Sequence, residues 1–472
     1  MRTVVIDPVT RIEGHAKITI HLDDDDQVTD TFFHVTQLRG FEKFVEGRPF
    51  YEMPAITARI CGICPISHLL TSSKACEAIM CVTPPPTAVK LREIMHCGQI
   101  IQSHALSFFH LSAPDMLLGF DSDPARRNLF GLIADHPKIA REGIALRRFG
   151  QRAIEGLAGE RIHPSWTVPG GVNAPLDAEH RDRILADLPM AKAIAVQTLE
   201  FFKGIVDRFK EEIEHFGNEP TMYAGLVDEN DNLQMYDGGL RFIDAAGDVV
   251  VDRMPAEDYS KYIGEATVPH SFLKSPYFKP HGFPEGTYRV GPLARMNVAA
   301  RCGTPAADVE FVEFHQRYGK VAQSAFHFHH ARLIEILYCI ERMEGLLNDP
   351  GILGRHVRAR AGVNALEGVG MAEAPRGVLT HHYKVNEDGA MVWANLIIAT
   401  GHNNLSIGRS INQVSRHFVD GKKLKEGMLN RVAAVLRAYD PCLSCSTHAA
   451  NPYPVEIQLV DPDGSVVDSM RS

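Results

Sequence analysis

Apolar and polar residues alternate along Lys17-Ile18-Thr19-Ile20-His21-Leu22, a period of two that predicts a strand buried on one face. Asp23 to Asp26 supplies a polar turn, and residues 28–35 resume a β-like pattern, so the chain opens in strands. From residue 54 the period lengthens. Residues 54–80 read as helix interrupted around Cys61-Gly62-Ile63-Cys64-Pro65, and Pro84-Pro85-Pro86 opens a long amphipathic run through Leu91, Ile94, Met95, Ile101 and Leu106. Further helical patterns cover about 137–156, 178–216, 306–347 and 411–439. Short alternating segments return around 222–251, divided at Asp228-Glu229-Asn230-Asp231 and Ala246-Gly247-Asp248, and around 379–398, divided at Asn386-Glu387-Asp388-Gly389. No Ser/Gly linker or repeat array interrupts this order. The pattern predicts a single compact unit of class α+β, predominantly helical, with a β segment over about 1–50 and a helical core with hairpin insertions over about 51–448.

Composition narrows the function classes. The 472 residues suffice for a large core; 45% are hydrophobic and 23% charged, as in ordinary globular proteins. Net charge is −9 with no Lys/Arg run, which argues against nucleic acid as a partner. No apolar stretch approaches the roughly 18 residues of a membrane span. The start, Met1-Arg2-Thr3-Val4-Val5-Ile6-Asp7-Pro8, lacks a secretory h-region, so a cytoplasmic protein is the expectation.

Nine cysteines in so long a chain do not make a disulfide scaffold, but four of them form pairs. Cys61 and Cys64 stand near the start, Cys442 and Cys445 near the end; Cys76, Cys81, Cys97, Cys302 and Cys339 are expected to be small buried hydrophobes. Cys-x-x-Cys lets two thiolates face one metal ion, and two pairs make a four-sulfur site. Zinc modules keep their pairs within a few dozen residues. Here they are separated by almost the whole chain, which suits a centre inside a preformed domain. Spacing alone leaves open zinc, an iron–sulfur cluster, another soft-ligand metal, or two unrelated pairs. Crowded His327, His329 and His330, and His381-His382, read as satisfied or solvated side chains in preference to ligands.

The residues around the pairs are more specific. In order stand Asp7-Pro8-Val9-Thr10-Arg11-Ile12-Glu13-Gly14-His15, Arg39-Gly40-Phe41-Glu42, Arg59-Ile60-Cys61-Gly62-Ile63-Cys64 with His68 beyond, Glu373-Ala374-Pro375-Arg376-Gly377, and Asp440-Pro441-Cys442-Leu443-Ser444-Cys445-Ser446-Thr447-His448. This set resembles the large subunit of nickel–iron hydrogenases from residue 7 to the last residues, and most resembles the cytoplasmic, bidirectional NAD-reducing branch. The resemblance implies a central bundle of long helices with peripheral hairpins and small sheets.

It also implies a division of labour. Cys61 and Cys442 would be terminal nickel ligands, and Cys64 and Cys445 would bridge nickel to an iron carrying carbon monoxide and cyanide. Glu13 would be the first proton relay, with Cys442 as the base beside the metals; the ordinary alternative for Glu13 is a surface or N-cap carboxylate. Arg376 would face the open coordination position, held by Asp115 and Asp440, since a buried unpaired guanidinium is costly; a purely structural ion-pair cluster is the competing reading. Glu42 and His448 would hold magnesium, and His68 would hydrogen-bond a cysteine sulfur.

Family members of this kind are cut after the histidine of the last motif, so 449–472 is expected to be a maturation peptide, removed by an endopeptidase after chaperones have delivered the metals. Its Val455-Glu456-Ile457-Gln458-Leu459-Val460, Asp461-Pro462-Asp463-Gly464 and Ser465-Val466-Val467-Asp468 predict strand, turn and strand. While the tail remains, the two cysteine pairs are expected apart and His448 turned from its metal.

With four cysteines spent on one site, no iron–sulfur pattern is left, so electrons must pass to a small subunit carrying a cluster. No Gly-x-Gly-x-x-Gly fingerprint occurs: after Gly368-Val369-Gly370, Glu373 stands where the third glycine would be. FMN and NAD are therefore expected on diaphorase partners, and the chain itself handles H2 and protons. Another electron acceptor (NADP, deazaflavin or ferredoxin) is the near rival. A quinone-side respiratory subunit, which lacks the paired cysteines, and a structural zinc protein are the rivals from other classes.

Overall fold

The structure, a computed structural model, describes residues 2–448, 456–460 and 465–471. In chain order the elements used below are β1 (Arg2–Ile6), β2 (Ala16–Leu22), β3 (Val28–Val35), α1 (Pro65–Met80), α2 (Pro86–Ala105), α3 (Ala113–Leu118), α4 (Pro137–Ala158) and α5 (Ala178–Ile205). Then follow β4 (Met222–Val227), β5 (Gly239–Ile243), β6 (Val249–Met254), β7 (Ile263–Val268), β8 (Ser271–Phe278), α6 (Pro292–Val298), α7 (Pro305–Tyr318) and α8 (Phe328–Leu347). The last group is β9 (Glu367–Ala374), β10 (Gly377–Val385), β11 (Met391–Ile397), α9 (Asn404–Phe418), α10 (Glu426–Tyr439), β12 (Glu456–Val460) and β13 (Val466–Arg471).

A ring of four long helices forms the centre: α2 packs on α4 and α8, and α5 packs on both α4 and α8. Almost every residue of α8 is buried, so it is the inner helix of the bundle. Small antiparallel sheets lie around the bundle: β1-β2-β3, β7-β8, β9-β10-β11, and β4-β5-β6 extended by a short parallel strand at Tyr288–Arg289. The predominantly helical α+β architecture with peripheral hairpins is as the sequence predicts.

Several boundaries differ. Residues 306–347 are two helices, not one, because the chain leaves α7 at Gly319 with φ +88° and resumes helix only after Ser324. Residues 411–439 are likewise split between α9 and α10. Strands β1, β7, β8 and β9 carry alternation too weak to predict them individually. In β9 the reason is visible: a Cβ on Gly368 would lie 2.3 Å from the Ala75 carbonyl, and one on Gly370 2.1 Å from that of Thr71. The two glycines let the strand lie directly against α1, which accounts for the Gly-x-Gly pair without any nucleotide.

Cys76, Cys97, Cys302 and Cys339 are buried as expected, whereas Cys81 is exposed, capping α1 in a left-handed conformation. His327, in the turn before α8, and His329 and His330 within it are buried: His327 stacks on Tyr318 at 3.8 Å, and His330 Nδ1 lies 3.2 Å from the same tyrosine's hydroxyl. Among the described residues no helix is long and apolar enough to cross a membrane.

Candidate metal centre

Pro65 opens α1 with Cys64 at its N-cap, so the first cysteine pair sits at the end of a helix whose free N–H groups favour negative charge. The Cys61 sulfur accepts from the backbone N–H of Ile63 and of Cys64, each at 3.2 Å. The first amides of α1 are met by Gln99 of α2, whose side-chain oxygen accepts from Ile66 at 2.6 Å and Ser67 at 3.2 Å. The second pair follows α10, which stops at Asp440 in a left-handed conformation (φ 54°) before Pro441. The turn into Cys442 is pinned by Thr400, whose hydroxyl oxygen accepts the Cys442 N–H at 2.9 Å.

The pairs meet in the interior. Cys61 and Cys442 sulfurs are 3.4 Å apart, Cys64 and Cys445 3.6 Å, Cys442 and Cys445 2.8 Å, and all four lie within 4.8 Å of one another. Thiolates sharing one ion through bonds of about 2.3 Å stand roughly 3 to 5 Å apart, so the donor set fits a soft metal. Among the described residues it is the one such group of His, Cys, Asp or Glu side chains. Hydrogen bonds from Cys442, Cys445 and Cys64 hold the Cys61 thiol well below its ordinary value, while burial pushes Cys442 well above. A soft metal bound there would displace the thiol protons.

Arg376 is fully buried beside the sulfurs. Its Nε donates to the Asp440 carbonyl at 2.7 Å, Nη2 to the Asp440 carboxylate at 3.0 Å, and Nη1 to the Ser103 hydroxyl at 3.2 Å. Burial opposes its charge, but Asp440 and the sulfurs of Cys442, Cys64 and Cys61 prevail and raise its pKa well above the ordinary value. Burial in turn raises the Asp440 carboxyl.

Glu13 reaches the second pair from the N-terminal segment. Its Oε2 accepts the Ser444 N–H at 3.1 Å, its carbonyl accepts that of Leu443 at 3.2 Å, and its backbone pairs with Cys442. Gly14, at φ +84°, makes this approach possible, because a Cβ there would stand 2.7 Å from the Leu443 Cβ.

Asp115 is not at Arg376, contrary to the sequence expectation. Its carboxylate is taken up by Arg11 and, at 2.9 Å, by Arg437, with Asn430 donating at 3.1 Å. Burial works against the charge, but the Arg437 and Arg11 guanidiniums hold the carboxyl below its usual range. The acid that follows Pro114 thus ties α3 to α10 and the N-terminal motif, and Ser103 takes the position assigned to it.

His68 is buried on α1, and its resolved hydrogen bond runs from Nδ1 to His381 Nε2 at 3.1 Å, not to a cysteine sulfur. Burial brings it down to about 4. His381 Nδ1 in turn lies 2.6 Å from the Tyr383 hydroxyl, so the β10 histidine orients the ring facing the sulfurs. Glu42 and His448 do meet, with Oε1 and Nδ1 2.9 Å apart; Arg39 donates to both Glu42 oxygens at 3.0 and 3.1 Å and to the Cys445 carbonyl at 2.6 Å. The His448 N–H is accepted by the Phe272 carbonyl at 3.0 Å, which fastens the segment to β8.

The two cysteine pairs are together and His448 faces Glu42 in a chain that still has its tail, which overturns the expectation that the uncut chain keeps them apart. In the tail, β12 and β13 pair antiparallel, in keeping with the strand–turn–strand signal; 449–455, 461–464 and Ser472 lie outside the described residues. Thr400, Gln99 and Ser103 carry no sequence signal, being single polar residues in helical or apolar surroundings.

Comparison with known proteins decides the family. Residues 39–120 and 227–448 match the nickel-dependent hydrogenase family, and residues 3–38 match a HoxL-like family. The chain belongs to the nickel–iron hydrogenase large subunits. It is 40% identical over 483 residues to the NAD-reducing hydrogenase HoxS subunit beta of Cupriavidus necator, covering 99% of each chain. It is 44% identical over 416 residues to a vhu F420-non-reducing hydrogenase protein of Methanocaldococcus jannaschii, covering 88% of this chain and 99% of that one. A crystal structure of an NAD+-reducing [NiFe]-hydrogenase in the H2-reduced state superposes with TM-score 0.92 at 43% identity, over 95% of this chain and 100% of its own. The four-cysteine centre of this hydrogenase is accordingly a nickel and iron site.

Proposed function

We propose that this hydrogenase subunit splits and forms H2 at a nickel–iron centre held by Cys61, Cys64, Cys442 and Cys445, in a complex that reduces NAD. The observation that carries the reading is the meeting of the four sulfurs beside a buried guanidinium. Cys61 and Cys442 would hold the nickel, and Cys64 and Cys445 would hold both the nickel and an iron carrying carbon monoxide and cyanide. The metal pair, when bound, supplies the electron-rich centre at which H2 is cleaved into protons and electrons.

This chain's residues do the rest. Arg376, fixed at three nitrogens by Asp440 and Ser103, keeps a positive charge over the sulfurs in a site closed to water. The Cys442 sulfur takes the proton, and Glu13, docked against Leu443 and Ser444, receives it and carries it outward. His68, oriented by His381, completes the packing around the first pair. Glu42 and His448, in direct contact in the metal-free chain, are the two residues that would hold magnesium.

With all four paired cysteines committed, electrons leave through a small subunit bearing an iron–sulfur cluster, and FMN and NAD sit on further diaphorase subunits. Location in the cytoplasm accords with this electron route. The 24 residues 449–472 would be a maturation peptide cut off by an endopeptidase. The relative from Methanocaldococcus jannaschii, named F420-non-reducing, supports a second reading with a different acceptor. Co-expression with the partner subunits and an assay of H2-dependent NAD+ reduction tests the choice. Reduction of NAD+ by H2 is expected; reduction of a viologen dye or ferredoxin alone would favour the second reading.

A further inference from the structure

Arg376 stands at the tip of a hairpin that is buried. Ala374 and Gly377 pair across the end of β9 and β10, which leaves Pro375 and Arg376 as a two-residue loop inside the protein. A loop in water finds partners for its carbonyls in the solvent, but a buried one must find them in the chain. They are supplied by Arg295 of α6, whose Nη1 donates to the Ala374 carbonyl at 3.1 Å and Nη2 to that of Pro375 at 3.2 Å.

Arg295 is fully buried and is itself held by charge. Its Nε and Nη2 donate to the two oxygens of Glu335 on α8, both at 2.6 Å, and Nη1 donates to Glu373 at 2.6 Å. The other Glu373 oxygen accepts the Leu226 N–H of β4 at 3.0 Å, and Glu335 is 2.7 Å from His104 Nε2 of α2. Four elements from different parts of the chain thus converge on this guanidinium and its two carboxylates. An ion-pair network buried this deeply is a poor source of stability, since apolar packing would serve as well. What this one fixes is the backbone from which Arg376 reaches the sulfurs.

We infer that Arg295, seated on Glu335 and Glu373, is a positioning residue for the hydrogenase reaction: it sets the Ala374–Pro375 backbone and so the place of the Arg376 guanidinium. This rests on the reading of Arg376 as the charge that acts at the metal pair. Lysine at 295 would keep the charge but lose the planar fork that meets two carboxylates and two carbonyls together.

The test uses the assembled, metal-loaded complex with Arg295→Lys, Arg376→Lys and both together. Turnover per nickel, melting temperature and the infrared stretches of the iron-bound diatomics are recorded for each. Displacing a catalytic group by about 1 Å costs roughly 100-fold, so Arg295→Lys is expected to lose about 10- to 100-fold in turnover per nickel. Its stretches shift or broaden, its nickel content is retained, and it causes no further loss in the Arg376→Lys background. A lowered melting temperature with unchanged stretches and turnover per nickel overturns the inference, as do losses that multiply in the double variant. If Arg295→Lys fails to accumulate, Glu373→Gln, which removes one arm of the seat, is held to the same outcomes. An Arg376→Lys enzyme with full turnover would instead overturn the reading of Arg376 itself.

Discussion

Glu13 and Cys442, more than four hundred residues apart in sequence, run side by side: their backbones pair, and the Glu13 carboxylate accepts the Ser444 N–H at 3.1 Å. The acid is thereby fixed to the loop that carries the second cysteine pair. On the proposed reading, this is the carboxylate that receives the proton released at Cys442.

Replacing Glu13 by Gln keeps the shape and an acceptor oxygen but removes the titrating group. Turnover is expected to fall by about 10²- to 10⁴-fold, the usual share of general acid–base catalysis, with nickel content and infrared stretches retained. Steady-state H2 oxidation, together with metal analysis of the same sample, checks this. Unaltered turnover would mean that protons leave by another route.

Asp115 should behave as a structural anchor. Its buried carboxylate neutralises Arg11 and Arg437, and Arg127 lies 3.5 Å away. Asp115→Ala leaves these guanidiniums uncompensated, which costs about 3–5 kcal/mol in comparable buried pairs. Thermal melting of the variant is expected to drop by several degrees, with turnover per nickel in the surviving fraction close to that of the parent.

Acid should loosen the segment around His448 late, because Glu42 keeps its charge below the pH at which exposed carboxylates of ordinary pKa take up protons. Burial opposes the Glu42 charge, but His448 and Arg39 prevail and hold the carboxyl at about 2 in place of 4.5. A depressed folded-state value means that the contribution is complete above about pH 4.5 and is lost as the pH falls towards 2. Melting temperature of the magnesium-free protein against pH is therefore expected to fall across that window and to fall less steeply in Glu42→Gln. Identical curves would contradict the assigned ion pairing.

Much of this is legible in the sequence because the motifs report backbone demands as well as chemistry. Cys64-Pro65 marks a helix start, Asp440-Pro441 marks a helix stop, and Gly14 marks the close pass of the N-terminal segment over Leu443. The alternation of residues 17–22 and 28–35 reveals the first sheet for the same reason. What stays hidden depends on distant partners. Whether Asp115 pairs with Arg376 or with Arg11 and Arg437 is decided by how α3 meets α10, and no local pattern encodes that. Likewise the sequence leaves His381 as either satisfied or solvated, and only β10 laid against α1 shows it paired with His68 and Tyr383.

The tail gives a separate check. Mass spectrometry of the active enzyme is expected to show a chain ending at His448, lighter by residues 449–472. Because the four sulfurs already stand together in the uncut chain, nickel is expected to enter before cleavage, and a variant blocked in cleavage should still carry nickel. Active enzyme that keeps the full-length chain would identify the β12–β13 hairpin as a permanent part of the protein.

The most direct test of the central claim is metal analysis of the purified complex joined to an infrared scan for metal-bound carbonyl and cyanide. Nickel and iron in equal amounts, with those stretches present and all lost together in Cys442→Ser, is the predicted result. Zinc on the four sulfurs, with no such stretches in a sample proven to end at His448, would contradict it and leave a structural tetrathiolate.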